Sequence, residues 1–191
     1  VEAMTFDAYR AQESWQQSAL QTAQAWTGEV MGGKAPWMFF GGQPGSGKTH
    51  LCTAACGTLL NAGIAVRYML WVETSRQLKA SINDGETFER LIRPLIDAPV
   101  LYMDDLFKTR RGDARSIQEA VTPADIRVAF EIIDARVRMN RPTIISTEWM
   151  LDELLAADEA AFSRVNCMSE GYQVQIGRDK GRNWRMKEVS R

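Results

Sequence analysis

The chain has 191 residues, of which 45% are hydrophobic and 25% charged, and its net charge is −1. That is ordinary composition for one globular domain with a real core, and it excludes a protein drawn to nucleic acid by overall charge, so any such contact must come from a local patch. No apolar run in the sequence approaches the ~20 residues of a membrane span and no signal peptide is read in it, so no membrane segment is expected, and the lack of a disulfide framework fits a reducing cytoplasm.

Residues 5–27 lack Pro and Gly and predict a helix, with Phe6, Tyr9, Trp15 and Leu20 as its apolar contacts. Gly28–Pro36 holds three glycines and a proline and reads as a linker. The chain therefore divides into an N-terminal helix and linker over 1–35 and a core over 36–191. It begins at Val1, not Met, which suggests that an N-terminal portion is missing. The core opens with the apolar run Trp37–Phe40, then Gly42-Gln43-Pro44-Gly45-Ser46-Gly47-Lys48-Thr49, a complete G-x-x-x-x-G-K-[ST] phosphate-binding loop. A helix over Thr49–Asn61 follows, with the single histidine, His50, in its first turn and Cys52 and Cys56 as small buried hydrophobes. Three cysteines cannot all pair within the chain, and nothing suggests a disulfide framework.

Short apolar runs continue at Ala65–Leu70, Val100–Met103 and Thr143–Ser146, each bounded by turn signals. Their near-continuous hydrophobicity predicts central parallel strands buried on both faces. Helices are expected over Val72–Asn83, Thr87–Ile96 and Ala124–Met139. Thr122 caps the last, Pro123 suits its first position, Asp125 completes a box, and Ile126, Phe130, Ile133 and Val137 recur on one face. Shorter helices follow over Leu151–Ala156 and Glu159–Cys167. A last strand, Tyr172–Ile176, is expected to pair with Trp184–Lys187. Alternating strands and helices give an α/β doubly wound sheet with right-handed crossovers.

In the phosphate loop, glycines let backbone N–H groups turn inward around phosphate oxygens, and the helix N-terminus adds partial positive charge. Gly42, Gln43, Pro44, Gly45, Ser46, Gly47, Lys48, Thr49 and His50 form the expected nucleotide-binding set. Lys48 reaches the β- and γ-phosphates, and Thr49 holds Mg²⁺. The strand Val100–Met103 ends in Asp104 and Asp105. Asp104 is the natural Mg²⁺ partner. Asp105 points elsewhere and either orients the attacking water or merely caps the strand. It is one methylene shorter than Glu, which suits a slow hydrolase. The strand ending Ser146-Thr147-Glu148 fits a γ-phosphate sensor, with Thr147 the first choice. Arg164, in Phe162-Ser163-Arg164-Val165, is either an arginine finger for a neighbouring subunit or a surface ion pair.

These pieces together resemble a family. GQPGSGKT at 42–49, VLYMDDLF at 100–107, RPTIISTEWMLDEL at 141–154, FSRV at 162–165 and NWRM at 183–186 resemble, in order and spacing, the AAA+ ATPase domain of DnaC-type replicative helicase loaders, including phage and prophage versions. DnaA-type initiators and IstB-type transposition ATPases share much of the pattern. The resemblance implies a three-layer P-loop NTPase of the AAA+ (ASCE) type, with a five-stranded, mostly parallel sheet and no helical lid domain. It places the Thr143–Ser146 strand between the phosphate-loop strand and the Asp104 strand, and it makes Arg164 a finger acting in trans. It implies ATP/ADP and Mg²⁺ as ligands, single-stranded DNA and a replicative hexameric helicase as partners, self-assembly into a spiral, and no membrane. The helicase would be met by a separate N-terminal domain. The basic residues Lys108, Arg110, Arg111 and Arg115, or Arg76 and Lys79 on the earlier helices, are the candidates for DNA. Thr5 and Phe6 resemble the segment that packs against adenine, and Arg185 is a candidate near the nucleotide. A transposition helper ATPase, a nucleotide-gated binding module with little hydrolysis and a small-molecule kinase are the alternatives.

Overall fold

The computed structural model describes residues 4–108 and 116–183. Arg110, Arg111, Arg115, the expected strand Trp184–Lys187 and Arg185 within it lie outside the described residues.

Among the described residues five strands make one sheet: β1 (Met38–Gly42), β2 (Val66–Leu70), β3 (Val100–Leu106), β4 (Thr143–Thr147) and β5 (Gln173–Ile176). Their order is β2-β3-β4-β1-β5 and each pairing is parallel. The strand after the carboxylates thus lies between the phosphate-loop strand and the carboxylate strand, as the resemblance implied. Parallel strands need crossovers, and helices supply them on both faces. Met38, Phe40, Val100, Tyr102 and Ile144 face α1 (Ser14–Met31) and α2 (Lys48–Asn61). Phe39, Leu101, Met103 and Ile145 face the other way. They meet α3 (Trp71–Ala80), α4 (Gly85–Asp97), α6 (Pro123–Arg138), α7 (Leu151–Ala157) and α8 (Glu159–Met168). This alternation along buried strands makes the three layers.

Several expectations need correction. The Ala65–Leu70 run, expected as a strand buried on both faces, forms the edge strand β2 with Arg67 and Tyr68 exposed, because only β3 covers its flank. The first helix starts at Ser14, not near residue 5, because the Gln16 side chain accepts from the Gln12 and Glu13 amides and fixes the N-terminus there. It also runs through Gly28 to Met31, since Trp26 and Val30 are buried and hold that turn to the core. Its buried anchors are Ala19, Ala23, Trp26 and Val30; of the contacts expected, Phe6, Tyr9 and Leu20 pack against that cluster and Trp15 does not belong to it. On α6 the Thr122–Asp125 capping box forms as expected, but the face sealed against the sheet is Val128, Ala129, Ile132, Ile133 and Arg136. Ile126, Phe130 and Val137 flank it. A one-turn helix, α5 (Ile117–Ala120), carries too little pattern to be anticipated.

Candidate nucleotide site

The turn from β1 into α2 is built on positive φ. Gly42 (98°), Gly45 (71°) and Gly47 (91°) take conformations that L side chains rarely adopt. At Gly42 a Cβ would stand 2.1 Å from the Ile176 carbonyl oxygen of β5, so the loop and the sheet edge need glycine there. The Ser46 hydroxyl donates to the Gln43 carbonyl (2.8 Å), and Gln43 Oε1 accepts from the Asp179 amide (3.0 Å). The segment after β5 is thereby tied to the loop.

Lys48 is buried and donates through Nζ to the carbonyls of Gly42 (2.7 Å) and Gln43 (2.8 Å). Desolvation pulls its pKa down to about 8, against the raising effect of Glu148 and Asp105. Beside it opens a pocket of about 550 Å³. Loop residues Pro44–His50 floor it, Met4, Ala8, Tyr9 and Arg10 form one wall, and Asp105, Lys108 and Glu148 form another.

Asp104 follows Tyr102 on the α2 face of β3, which brings its Oδ1 to 3.5 Å from Thr49 Oγ1. Tyr68 donates to its Oδ2 (2.8 Å), Tyr102 donates to its Oδ1 (2.7 Å), and the Ser146 hydroxyl donates to Oδ1 as well. Asp104 is 4% exposed, and among the described residues its carboxylate accepts from hydroxyls, which orient it without bringing a compensating charge. A hard divalent cation that takes one carboxylate, one hydroxyl and substrate phosphates fits that donor set. Among the described residues no group of three or more His, Cys, Asp or Glu gathers as a self-sufficient metal cage.

Asp105 breaks the strand's alternation. The β3–β4 register shifts between Met103 and Leu106, and Asp105 and Phe107 take positive φ of 56° and 60°. Such non-glycine strain beside a pocket re-aims a side chain. It carries Asp105 to the pocket wall, where Lys108 Nζ meets Asp105 Oδ2 at 2.9 Å and Glu148 Oε1 at 3.1 Å. Lys108, expected in a DNA-gripping cluster, is thus held by the site's own carboxylates.

Thr147 does not reach the pocket. It is fully buried, donates to the Leu106 carbonyl (2.7 Å) and accepts from the Trp149 amide (3.2 Å), so its hydroxyl splices β4 to the end of β3. Strand alternation turns Ser146 toward Asp104, and the pocket residue from this strand end is Glu148. Thr147→Val is accordingly expected to cost about 1–2 kcal/mol in urea unfolding and to leave ATP affinity by calorimetry unchanged. A loss of affinity with unchanged stability would restore the sensor role.

Arg164 does not line this chain's own pocket. It pairs with Asp134 on α6 (3.4 Å), lies 5.5 Å from the Phe130 ring centroid and donates to the Ala160 carbonyl. On the N-terminal wall, His50 Nε2 meets the Thr5 carbonyl oxygen (2.8 Å) and its ring meets Tyr9 edge-on. Tyr9, read in the sequence only as an apolar contact, packs on Gly47, where a Cβ would stand 2.9 Å from its ring. Among the described residues its buried hydroxyl has no hydrogen-bond partner, and desolvation pushes its pKa up to about 12.

A phosphate loop opening a helix, an oriented carboxylate on β3 and the order β2-β3-β4-β1-β5 define an ATP-binding domain of the AAA+ P-loop class. Within that class the chain belongs to the family of IstB-like ATP binding proteins, whose model matches residues 30–155. It is similar to the phage-like element PBSX protein XkdC of Bacillus subtilis (strain 168), with 35% identity over 136 residues, 71% of this chain and 48% of that one. It is 26% identical to the replicative helicase loader DnaC of Escherichia coli (strain K12), over 78% of this chain and 57% of that protein. A crystal structure titled as the DnaC helicase loader matches with a TM-score of 0.71 and 25% identity, over 91% of this chain and 96% of that one. The chain spans about half the length of the curated relatives it matches. Among the described residues no helix is long and apolar enough to cross a membrane.

Proposed function

We propose that this chain binds ATP with Mg²⁺ in the pocket at residues 42–49 and hydrolyses it slowly, within an assembly on single-stranded DNA that delivers a replicative hexameric helicase. The observation that supports the nucleotide step is the convergence of Thr49, at the head of α2, with the Asp104 carboxylate at the end of β3. Residues 42–50 hold the phosphates, and Thr49 and Asp104 hold the cation, which neutralises charge on the transferred phosphoryl group. Asp105 orients the attacking water. Arg164 serves a neighbouring subunit's nucleotide, a role compatible with its place outside its own pocket. The helicase, the DNA and self-assembly rest on the resemblance to DnaC-type loaders. On α3, Arg76 is exposed while Lys79 is bound to buried Asp125, so Arg76 is the better placed of that pair to meet a backbone phosphate.

The IstB-like family match keeps a transposition helper as the second reading, separated from the first by whether a helicase or a transposase is co-purified. The decisive measurement is ATP turnover with and without single-stranded DNA across protein concentrations. Specific activity is expected to rise with concentration. Arg164→Ala should keep ATP affinity but lose about 10³-fold or more in turnover. Mixing it with Lys48→Ala subunits, which still offer Arg164, should restore part of the activity. Turnover independent of concentration and of Arg164 would sink the shared site.

A further inference from the structure

Two ammonium groups and two carboxylates line the phosphate pocket. Lys48 rises from the loop, Lys108 from the strained turn after β3, Asp105 from the bulge and Glu148 from the end of β4. Glu148, Asp105 and Lys108 line the same pocket as Lys48 and act on its amine, the two carboxylates raising its pKa and Lys108 lowering it, so the cluster stands near that amine. Lys48 reaches the β- and γ-phosphates in a loop of this type, so this is the side of the terminal phosphate. The wall made by Met4, Ala8, Tyr9 and Arg10 bounds another part of the pocket.

The local charge balance then depends on one residue. Lys108 bridges Asp105 and Glu148 at 2.9 and 3.1 Å and is about one-third exposed, so its ammonium is reachable from the pocket. Desolvation works to lower its pKa, but the hydrogen bonds to the two carboxylates outweigh it, and the group is held charged. Take Lys108 away and two unscreened carboxylates confront the incoming γ-phosphate, like charge against like. A diphosphate ends one group short and feels far less of that repulsion.

We infer that Lys108 is the residue by which this site distinguishes a nucleoside triphosphate from a diphosphate, its ammonium screening Asp105 and Glu148 and offering the γ-phosphate a cation. The inference rests on the ATP site proposed above and adds a specificity-determining contact to it. Lys108 belongs to no part of the phosphate-loop motif, and only the turn at Asp105–Phe107, where the Lys108 amide donates to the Asp105 carbonyl (2.9 Å), folds it back over the pocket.

The test is calorimetric affinity for ATP and for ADP, each with Mg²⁺, on the 191-residue chain. Lys108→Met should lower the ATP-to-ADP affinity ratio about tenfold or more, with ADP affinity within about twofold of the original. Lys108→Arg should keep most of the ratio, which loss of a merely structural contact would not produce. Glu148→Gln removes one of the opposing charges and should move the ratio the other way, toward ATP, which gives a second variant should Lys108→Met fail to fold. An unchanged ratio in Lys108→Met, or in Glu148→Gln if that variant alone folds, overturns the inference while leaving the ATP site standing. A parent chain that binds neither nucleotide overturns both.

Discussion

Arg136→Met is expected to destabilise the fold by about 3–5 kcal/mol, the range for stripping a buried charged group from the partners that depend on it. Arg136 is fully buried on α6. Its guanidinium donates to the carbonyls of Leu95 (2.9 Å), Ile96 (3.0 Å), Ala98 (3.0 Å) and Pro142 (2.7 Å), and its Nε donates to the Thr143 hydroxyl (2.8 Å). Three of those carbonyls lie at the C-terminus of α4, whose last turn carries no basic residue of its own. Arg136 therefore caps that helix from another element and sits at the negative end of its dipole. Buried ion pairs can often be replaced by well-packed apolar groups at little cost. Here the partners are backbone carbonyls, which no substitution removes and which methionine leaves unsatisfied. Arg136→Lys should recover less than half the loss, since a single ammonium on a shorter fork cannot span α4 and the entries to β3 and β4 at once. Urea unfolding at constant m-value reads both variants. A loss below about 1 kcal/mol for Arg136→Met would mean that water or a shifted backbone satisfies those carbonyls.

Lys48→Ala is expected to weaken ATP binding at least about 100-fold, roughly 2.7 kcal/mol or more. The lysine does two things at once. In the proposed function it supplies the charge that reaches the β- and γ-phosphates, and in the structure it ties the first two loop carbonyls, Gly42 and Gln43, to the head of α2. Alanine removes the cation and frees both carbonyls, so the nest of amides loses its pinning as well as its charge. The loop still has its positive-φ glycines and the Ser46–Gln43 bond, so the melting temperature should fall by only a few degrees. Calorimetry with ATP and Mg²⁺ checks the first expectation and thermal unfolding the second. Binding within tenfold of the parent chain would remove the phosphate loop from the centre of this protein's chemistry.

Much of the fold was legible because local pattern and global position agree. The runs at Trp37–Phe40, Val100–Met103 and Thr143–Ser146 are apolar on both faces, and strands covered on both faces have to be. The caps at Thr122 and the loop at 42–49 declare their elements through turn chemistry that needs no partner. The first helix misled because Gly28 costs a helix only about 1 kcal/mol, less than burying Trp26 and Val30 returns. Tyr102 was findable, since residue i−2 on a strand shares the face of Asp104. Tyr68 was not, because its reach to Asp104 comes from the β2–β3 register that sets Tyr68 opposite Tyr102.

The sequence by itself determined the doubly wound class, the phosphate loop and the acid strand, because each is written in contiguous residues whose backbone needs are local. Tertiary structure alone decided which side chains line the pocket beside the phosphate loop. A bulge at Asp105 and the turn after it bring Lys108 to the pocket and pair it with Glu148, while strand alternation buries Thr147. It also turned Arg136 into a cap for a helix some 40 residues away. The physical reason is common to these cases: a side chain's role follows from what the neighbouring strand or helix leaves unsatisfied, and that neighbour is distant in the chain.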